Sequence, residues 1–510
     1  MNTQQASLIE QMQQPEFYPH PVTTPIKLFQ THVSYVLLTG DFAYKVKKAV
    51  NFGFLDYSSV GKRKHFCAEE IRLNQPNATE IYLEVLPITQ KDEKFVLNGA
   101  GEPVEYALKM RQFPQTALMS EMYQEGKLTT ELMADLGRVV AEFHRQTPTN
   151  DYIRSFGEIE QISAAFNENY EQTDKYIGKP QTQQQFAETK EFSDTFFAER
   201  TDLFAQRREE DKIRECHGDL HLRNICFWND KICLFDRIEF NEPFRFVDVM
   251  YDIAFAVMDL DARGNKDFGN AFLNAYIEET GDWEGLRVLP LYLSRQAYVR
   301  GKVISFLLDD PGVPETDKQE AAKTAADYYR LAWDYTKTGQ GKLILMSGLS
   351  GSGKTTVARE LARKLGAIHL RSDAVRKHLA GISLSEKGGD ELYTTEMSQK
   401  TYDRLLELGL MLASEGFPVI LDAKYDRVAT REKCLSAAKK ASLPVQILHC
   451  TAPIEVLRTR LESRENDISD ATAGILASQE AAAEAFTDDE AAYVTTIDTT
   501  GDWGFVIGDL

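Results

Sequence analysis

Two sets of residues in this chain are typed and spaced for phosphoryl transfer, about 130 residues apart and of unrelated design. The first is His217-Gly218-Asp219-Leu220-His221-Leu222-Arg223-Asn224, followed by Leu234-Phe235-Asp236. An aspartate beside an acceptor hydroxyl can orient it and take its proton. An asparagine five residues on can ligate Mg2+ from the same loop, and a further aspartate at the end of an apolar strand can supply a second metal ligand. Asp219, Asn224 and Asp236 have that spacing. On the donor side stands Lys45 in Phe42-Ala43-Tyr44-Lys45, where strand alternation puts a small residue under the adenine and the ammonium two positions later on the same face. Glu69 or Glu70, on a following helix, can pair with Lys45, with Glu70 the candidate. His217 is expected to brace the loop, His221 to pack, and Asp248 and Asp252 to tether it.

The second set is Gly348-Leu349-Ser350-Gly351-Ser352-Gly353-Lys354-Thr355, a full P-loop. Amides from Gly348, Ser350, Gly351, Ser352 and Gly353 can point at a β-phosphate, Lys354 can bridge β and γ oxygens, and Thr355 can hold Mg2+ at a helix N-terminus, where the dipole favours anions. Thr356 is expected near the phosphates as an ordinary helix residue. Asp373 lies 19 residues beyond Lys354, with Arg376 at i+3 on the same helical face. That pair suits an acceptor apparatus: a carboxylate and a guanidinium beside the γ-phosphate. Asp422, at the end of Val419-Ile420-Leu421, is a further candidate metal ligand, and Arg460 and Arg464, four apart, can reach over the transferring phosphate as a lid. Arg431 is a weaker candidate. Both sets imply ATP and Mg2+ as cofactors and a hydroxyl acceptor.

The elements that must position these residues are legible in outline. Tyr35-Val36-Leu37-Leu38, a Thr39-Gly40-Asp41 turn and Phe42 to Val50 read as strands, with Lys45 and Lys47 on one face. A helix is expected near Lys62 to Asn74, and a hairpin from Phe95 to Met110 across Asn98-Gly99. After Pro114 the spacing of Leu132, Leu136, Val139, Val140 and Phe143 is helical. Lys318 to Lys337 is rich in helix formers and ends at Thr338-Gly339-Gln340-Gly341, a stop signal. Beyond it, Leu343-Ile344-Leu345-Met346 feeds the glycine-rich loop and a helix from Thr355 to Leu365. Ala367 to Leu370, Val419 to Leu421, Val445 to Leu448 and Tyr493 to Ile497 are further strands with helices between. Such alternation gives a parallel sheet covered on both faces.

A chain of 510 residues exceeds what one core usually serves. Two domains are expected: residues 1–338, α+β and bilobal, with a small lobe over about 20–113 and a large lobe over about 114–338, then residues 339–510, an α/β domain. A net charge of −20 weighs against nucleic acid and anionic membranes as partners and leaves small molecules. The six cysteines, Cys67, Cys216, Cys226, Cys233, Cys434 and Cys450, have no metal-type pairing and are expected as buried thiols. Met1 to Gln14 is polar and glutamine-rich, and no run approaches the ~18 apolar residues of a membrane span, so a cytoplasmic setting is expected.

On these motifs the chain resembles known families. His217-Gly218-Asp219 with Asn224 and Asp236 is similar to the aminoglycoside phosphotransferase and choline kinase branch of the kinase-like fold. The segments 41–57, 66–74 and 217–260 look like a bacterial group that fuses such a domain to a P-loop kinase, usually labelled bifunctional aminoglycoside phosphotransferase/ATP-binding protein. The second half resembles small P-loop kinases: phage polynucleotide kinase, zeta-toxin-type kinases, chloramphenicol phosphotransferase and gluconate kinase. That resemblance implies that Asp373 activates the acceptor hydroxyl, and together the two imply two kinase-type centres. One departure stands out: Gln30-Thr31-His32-Val33-Ser34 occupies the place of a glycine-rich phosphate loop before Lys45. Two further readings follow: one live P-loop kinase, acting on a small molecule or a nucleic-acid 5′-hydroxyl, with a regulatory or binding kinase-like module, or an ATP-gated interaction protein.

Overall fold

The computed structural model describes residues 3–463, 468–469, 473–501 and 503–504. The chain folds as two compact units, one made of residues 1–128, 143–165 and 197–259, the other of residues 129–142, 166–196 and 260–510.

The first unit is built on a six-stranded antiparallel sheet in the order β1-β2-β3-β6-β4-β5. Its strands are β1 (Lys27–Gln30), β2 (Ser34–Leu38), β3 (Phe42–Lys47), β4 (Tyr82–Lys91), β5 (Lys94–Leu97) and β6 (Pro103–Arg111). Alternation along β3 sends Tyr44 and Val46 to one face and Lys45 and Lys47 to the other. On the Tyr44 face the strands bury Tyr35, Leu37, Ile88 and Leu97 against Leu8, Ile9 and Met12. These last three lie on a helix, Thr3–Met12, inside the stretch read from sequence as merely polar. Its Gln5 is buried too, donating to Glu105 Oε2 at 2.7 Å and to the Lys47 carbonyl at 3.0 Å. The lysine face carries the Val60–Asn74 helix, capped by Ser59, whose hydroxyl accepts from the Lys62 amide.

The hairpin expected across Asn98-Gly99 does not form. β5 and β6 both pair with β4, not with each other, and the tight turn lies at Asp92, between β4 and β5. The ten-residue β4 offers a longer ladder than β5 can, so it takes the place beside β6 and leaves the four-residue β5 at the edge.

The rest of this unit includes two short antiparallel pairs, β7 (Ile213–Glu215) with β10 (Phe246–Asp248), and β8 (Ile225–Trp228) with β9 (Lys231–Leu234). Asn229 and Asp230 turn the second hairpin with φ of 52° and 57°, the positive values a two-residue turn needs. Cys226 and Cys233 on this hairpin join Tyr82, Ile81 and Leu108 in one apolar cluster.

The second unit contains a five-stranded parallel sheet in the order β12-β13-β11-β14-β15. The strands are β11 (Lys342–Ser347), β12 (Ile368–Arg371), β13 (Pro418–Asp422), β14 (Val445–Thr451) and β15 (Val494–Asp498). β11 is buried along five of its six residues, the pattern of a central strand covered on both faces. Ile344, Met346, Ile420 and Leu448 pack on Val357, Ala358 and Leu361 of the Lys354–Leu365 helix. The same unit holds the Lys266–Thr280, Leu289–Ser305 and Glu315–Asp334 helices. All six cysteines are buried and unpaired, and no described helix is long and apolar enough to cross a membrane.

Candidate active sites

In the first unit the β8–β9 hairpin positions the candidate residues. Asn224 immediately precedes β8, and Phe235 and Asp236 follow β9, so the turn at 229–230 returns the chain until the Phe235 amide donates to the Asn224 carbonyl at 3.1 Å. Asn224 in turn donates through Nδ2 to both the Asp219 carbonyl and Asp219 Oδ2, each at 3.0 Å. Asp236 sits at φ 61°, an uncommon conformation for an aspartate, with its amide donating to the Tyr82 hydroxyl.

Asp236 also meets the sheet. Lys45 Nζ lies 2.7 Å from Asp236 Oδ1 and 2.8 Å from Glu70 Oε1. Helix phase decides between the two glutamates: Glu70 is fully buried and faces the sheet, while Glu69 pairs with Arg72. Burial pulls the Lys45 ammonium toward neutrality, but Asp236 and Glu70 outweigh it and raise its pKa well above the usual value. For Asp236 burial pushes upward and Lys45 pulls down further, leaving the carboxyl below its ordinary value. Both groups are therefore charged at neutral pH.

Sequence reading missed a second layer. Lys47, two residues after Lys45, is buried and bonds Glu70 Oε2 at 2.7 Å as well as Glu239, which also accepts from the Tyr57 hydroxyl. Glu70 is thus gripped from both oxygens. The signal was available, since Lys47 shares the Lys45 face by simple alternation.

His217 does brace the loop. Burial lowers its pKa, so the ring is neutral. Nε2 donates to the Phe235 carbonyl at 2.9 Å and Nδ1 accepts from the Asp219 amide at 3.3 Å, which fixes the tautomer. Asp252 accepts from the amides of His217 and Gly218 and from His144 Nε2. Asp248 bonds Arg207. Gly218 has φ 84°, and a Cβ there would stand 2.6 Å from the Phe244 carbonyl oxygen. His221 packs edge-on to Phe255, with Nε2 3.4 Å from Asp219 Oδ2.

In the second unit β11 delivers the P-loop. Gly348, Gly351 and Gly353 all have positive φ, and a Cβ on Gly348 would meet the Cys450 carbonyl oxygen at 2.3 Å. Lys354 Nζ donates to the Gly348 and Leu349 carbonyls at 2.9 and 2.8 Å, folding across the loop. Burial lowers its pKa and Asp422 partly restores it. Thr355 Oγ1 donates to Asp422 Oδ2 at 2.8 Å, and His369 Nε2 bonds the same oxygen at 3.0 Å. Burial pushes Asp422 up, but the His369 hydrogen bond and the nearby cations hold it at about 2. Ser350 is bound by Gln479, the Ser352 hydroxyl is buried with no partner among the described residues, and Thr356 is exposed.

Asp373 follows β12 as the second residue of the Ser372–Ala380 helix. Burial raises its pKa, against Arg371, a Ser469 hydrogen bond and Arg376. Arg376 is close enough to act on Asp373, and its guanidinium donates to the Leu392 carbonyl at 2.9 Å and lies over Tyr393. Arg460 reaches the loop itself, donating to the Gly351 carbonyl at 3.3 Å and to Thr499. Arg464 lies outside the described residues. Arg431 is buried in a pair with Glu490 and braces structure.

Each set of residues includes oxygen donors of the kind Mg2+ takes, Asn224 and Asp236 in the first and Thr355 and Asp422 in the second. Thr355 and Asp422 are hydrogen-bonded to each other, and the buried Ser352 hydroxyl of the P-loop has no partner among the described residues. A model of the phosphotransferase enzyme family matches residues 98–289, and an AAA-domain model matches residues 343–486. The chain joins a phosphotransferase-family domain to a P-loop kinase domain. It is therefore an ATP-dependent kinase-type enzyme. An uncharacterised protein of Mycobacterium tuberculosis is 29% identical over 464 residues, 90% of each chain. A shikimate kinase of Geobacter sulfurreducens is 27% identical over 161 residues, 30% of this chain and 82% of that one. A sugar kinase structure from Janibacter sp. shares 25% identity over 33% of this chain and 91% of its own, with a TM-score of 0.26.

Proposed function

We propose that this kinase has two active centres, each transferring the γ-phosphate of ATP to a hydroxyl of a small molecule, in domains spanning residues 1–338 and 339–510. The observation that carries the reading is the Lys45 ammonium between Glu70 and Asp236, with Asp219 and Asn224 in the loop that leads into the hairpin before Asp236. A lysine so paired is the arrangement an active kinase-type centre requires. Asp219 would orient the acceptor and take its proton. At the P-loop, Lys354 would bridge the phosphates, Asp373 would serve as base, and Arg460 would offset charge on the transferring group.

Mg2+ would be held by Asn224 and Asp236 in one centre and by Thr355 and Asp422 in the other, where it neutralises phosphate charge. A relative named for a small hydroxylated acceptor, shikimate kinase, supports small molecules as substrates, and the net charge of −20 weighs against nucleic acid. Six buried thiols, none in a disulfide, suit a reducing cytoplasm.

One observation favours a second reading. In the β1–β2 turn, Thr31 Oγ1 accepts from the amides of Val33 and Ser34 at 3.2 and 3.0 Å. Those amides occupy the place where a glycine-rich loop would face phosphates. In this reading the kinase-like domain binds or regulates and the P-loop domain alone catalyses.

Calorimetric titration with Mg-ATP decides between them. Two active centres predict about two nucleotides per chain, falling to about one in Lys354→Ala, which removes the β/γ contact. A wild-type stoichiometry of about one, lost in Lys354→Ala, would establish the second reading.

A further inference from the structure

Asn270, Asn274 and Glu278 are spaced by four in the Lys266–Thr280 helix and so form one stripe along it. β12 is an edge strand of the parallel sheet, and Ala367, just before it, is followed at every second residue by His369 and Arg371 within it. Stripe meets edge rung by rung. Nδ2 of Asn270 and of Asn274 each donate to the Ala367 carbonyl at 3.0 Å. The His369 amide donates to Asn274 Oδ1 at 2.8 Å, and Arg371 pairs with Glu278 at 3.4 Å. Past the strand, His378 Nε2 bonds the Glu278 carbonyl at 2.8 Å.

The match has a geometric cause. Four residues of helix advance about 6 Å and two residues of strand about 6.6 Å, so three successive rungs stay in register. Side-chain amides thereby satisfy backbone groups that an edge strand otherwise leaves open. A cavity of about 360 Å³ borders the ladder, with Asn270, Asn274, Glu278, His369 and Arg371 in its walls.

From the ladder a hydrogen-bonded line runs into the P-loop. Asn274 holds the His369 backbone, His369 Nε2 bonds Asp422 Oδ2 at 3.0 Å, and Thr355 Oγ1 donates to that same oxygen at 2.8 Å. With both bonds on Oδ2, the carboxylate has a fixed rotation. We propose that His369 is a positioning residue for the P-loop centre, orienting Asp422 for the metal, and that Asn274 holds His369 in place. The helix that supplies the rungs falls within residues 98–289, matched by the phosphotransferase family. The ladder therefore ties P-loop metal binding to the phosphotransferase-family part of the chain.

The inference rests on the P-loop centre being a Mg-nucleotide site, and its test separates the two. ADP is titrated calorimetrically, with and without Mg2+, into the full chain carrying Lys45→Ala to silence the other centre. His369→Leu is expected to lose about 10–100-fold of the Mg2+-dependent gain in ADP affinity, the usual effect of removing a group that orients a metal ligand, with metal-free affinity within about 3-fold of its parent. His369→Gln, which retains an N–H donor, keeps most of the gain, and Asn274→Ala, which touches neither Asp422 nor the P-loop, shifts in the same direction as His369→Leu. A wild-type Mg2+ gain in His369→Leu, an equal loss with and without Mg2+, or an unaltered Asn274→Ala would each overturn the proposal. Normal ADP binding in Lys354→Ala would instead refute the P-loop reading on which it stands.

Discussion

Asp219→Ala is expected to abolish transfer from the kinase-like centre while sparing nucleotide binding, whereas Asp236→Ala weakens Mg2+-dependent nucleotide binding itself. The difference follows from what each carboxylate touches. Asp236 bonds Lys45, and through it Glu70, so its removal leaves the ammonium that should face the phosphates with one partner instead of two. Asp219 instead meets residues of its own loop, Asn224 Nδ2 at 3.0 Å and His221 Nε2 at 3.4 Å. Loss of a positioned base costs roughly 10²–10⁴-fold in rate. Binding is measured by calorimetry and transfer by single turnover, both in the Lys354→Ala background so that only this centre reports. Asp219→Ala losing affinity as severely as Asp236→Ala would remove the distinction between base and metal ligand.

How far the site could be read from sequence depends on how far apart in the chain its parts lie. Asp219, Asn224 and Asp236 are legible because one short hairpin joins them, so spacing along the chain nearly equals arrangement in space. Lys45 lies 191 residues from Asp236, and only its strand phase pointed to it. Choosing Glu70 over Glu69 needed the rotation of the Val60–Asn74 helix about its axis, which spacing alone does not set. Glu239, whose position was not singled out, enters the site by turning back after Asp236 to meet Lys47.

Elsewhere the local signal was outcompeted. Asn98-Gly99 is a strong turn dipeptide, yet β4 pairs with both neighbouring strands, because tertiary pairing outweighs a dipeptide preference. Arg376 holds the expected i+3 relation to Asp373, but the carbonyl of Leu392, 16 residues on, captures its guanidinium. The Asn270, Asn274 and Glu278 stripe reads as an ordinary solvated helix face; its partner strand lies some 95 residues away, and no composition rule announces such a match. In the P-loop the converse holds. Loop, helix and strand are contiguous, so glycines with positive φ stand where the motif requires them.

Asp373→Asn is expected to lower turnover at the P-loop centre by roughly 10²–10⁴-fold while leaving nucleotide affinity nearly intact. Asp373 follows an edge strand of the sheet, whereas Lys354 and Thr355 follow the central strand, so in the proposed reading the base and the phosphate-binding residues stand on separate segments. Burial raises the Asp373 carboxyl above its ordinary value of 3.8, with Arg371, Ser469 and Arg376 opposing. A base must be ionised to act, so turnover rises with pH as this group deprotonates, and the raised pKa moves that limb upward from the ordinary aspartate value. Asparagine does not titrate there, so the variant should be slow and lack the limb. Turnover of wild type and variant from about pH 4 to about pH 8 tests both parts together. The limb belongs to Asp373 only if it disappears with the carboxylate; an identical limb in Asp373→Asn, or wild-type turnover, would reduce Asp373 to a helix-terminal residue and leave the base to be found elsewhere in the centre.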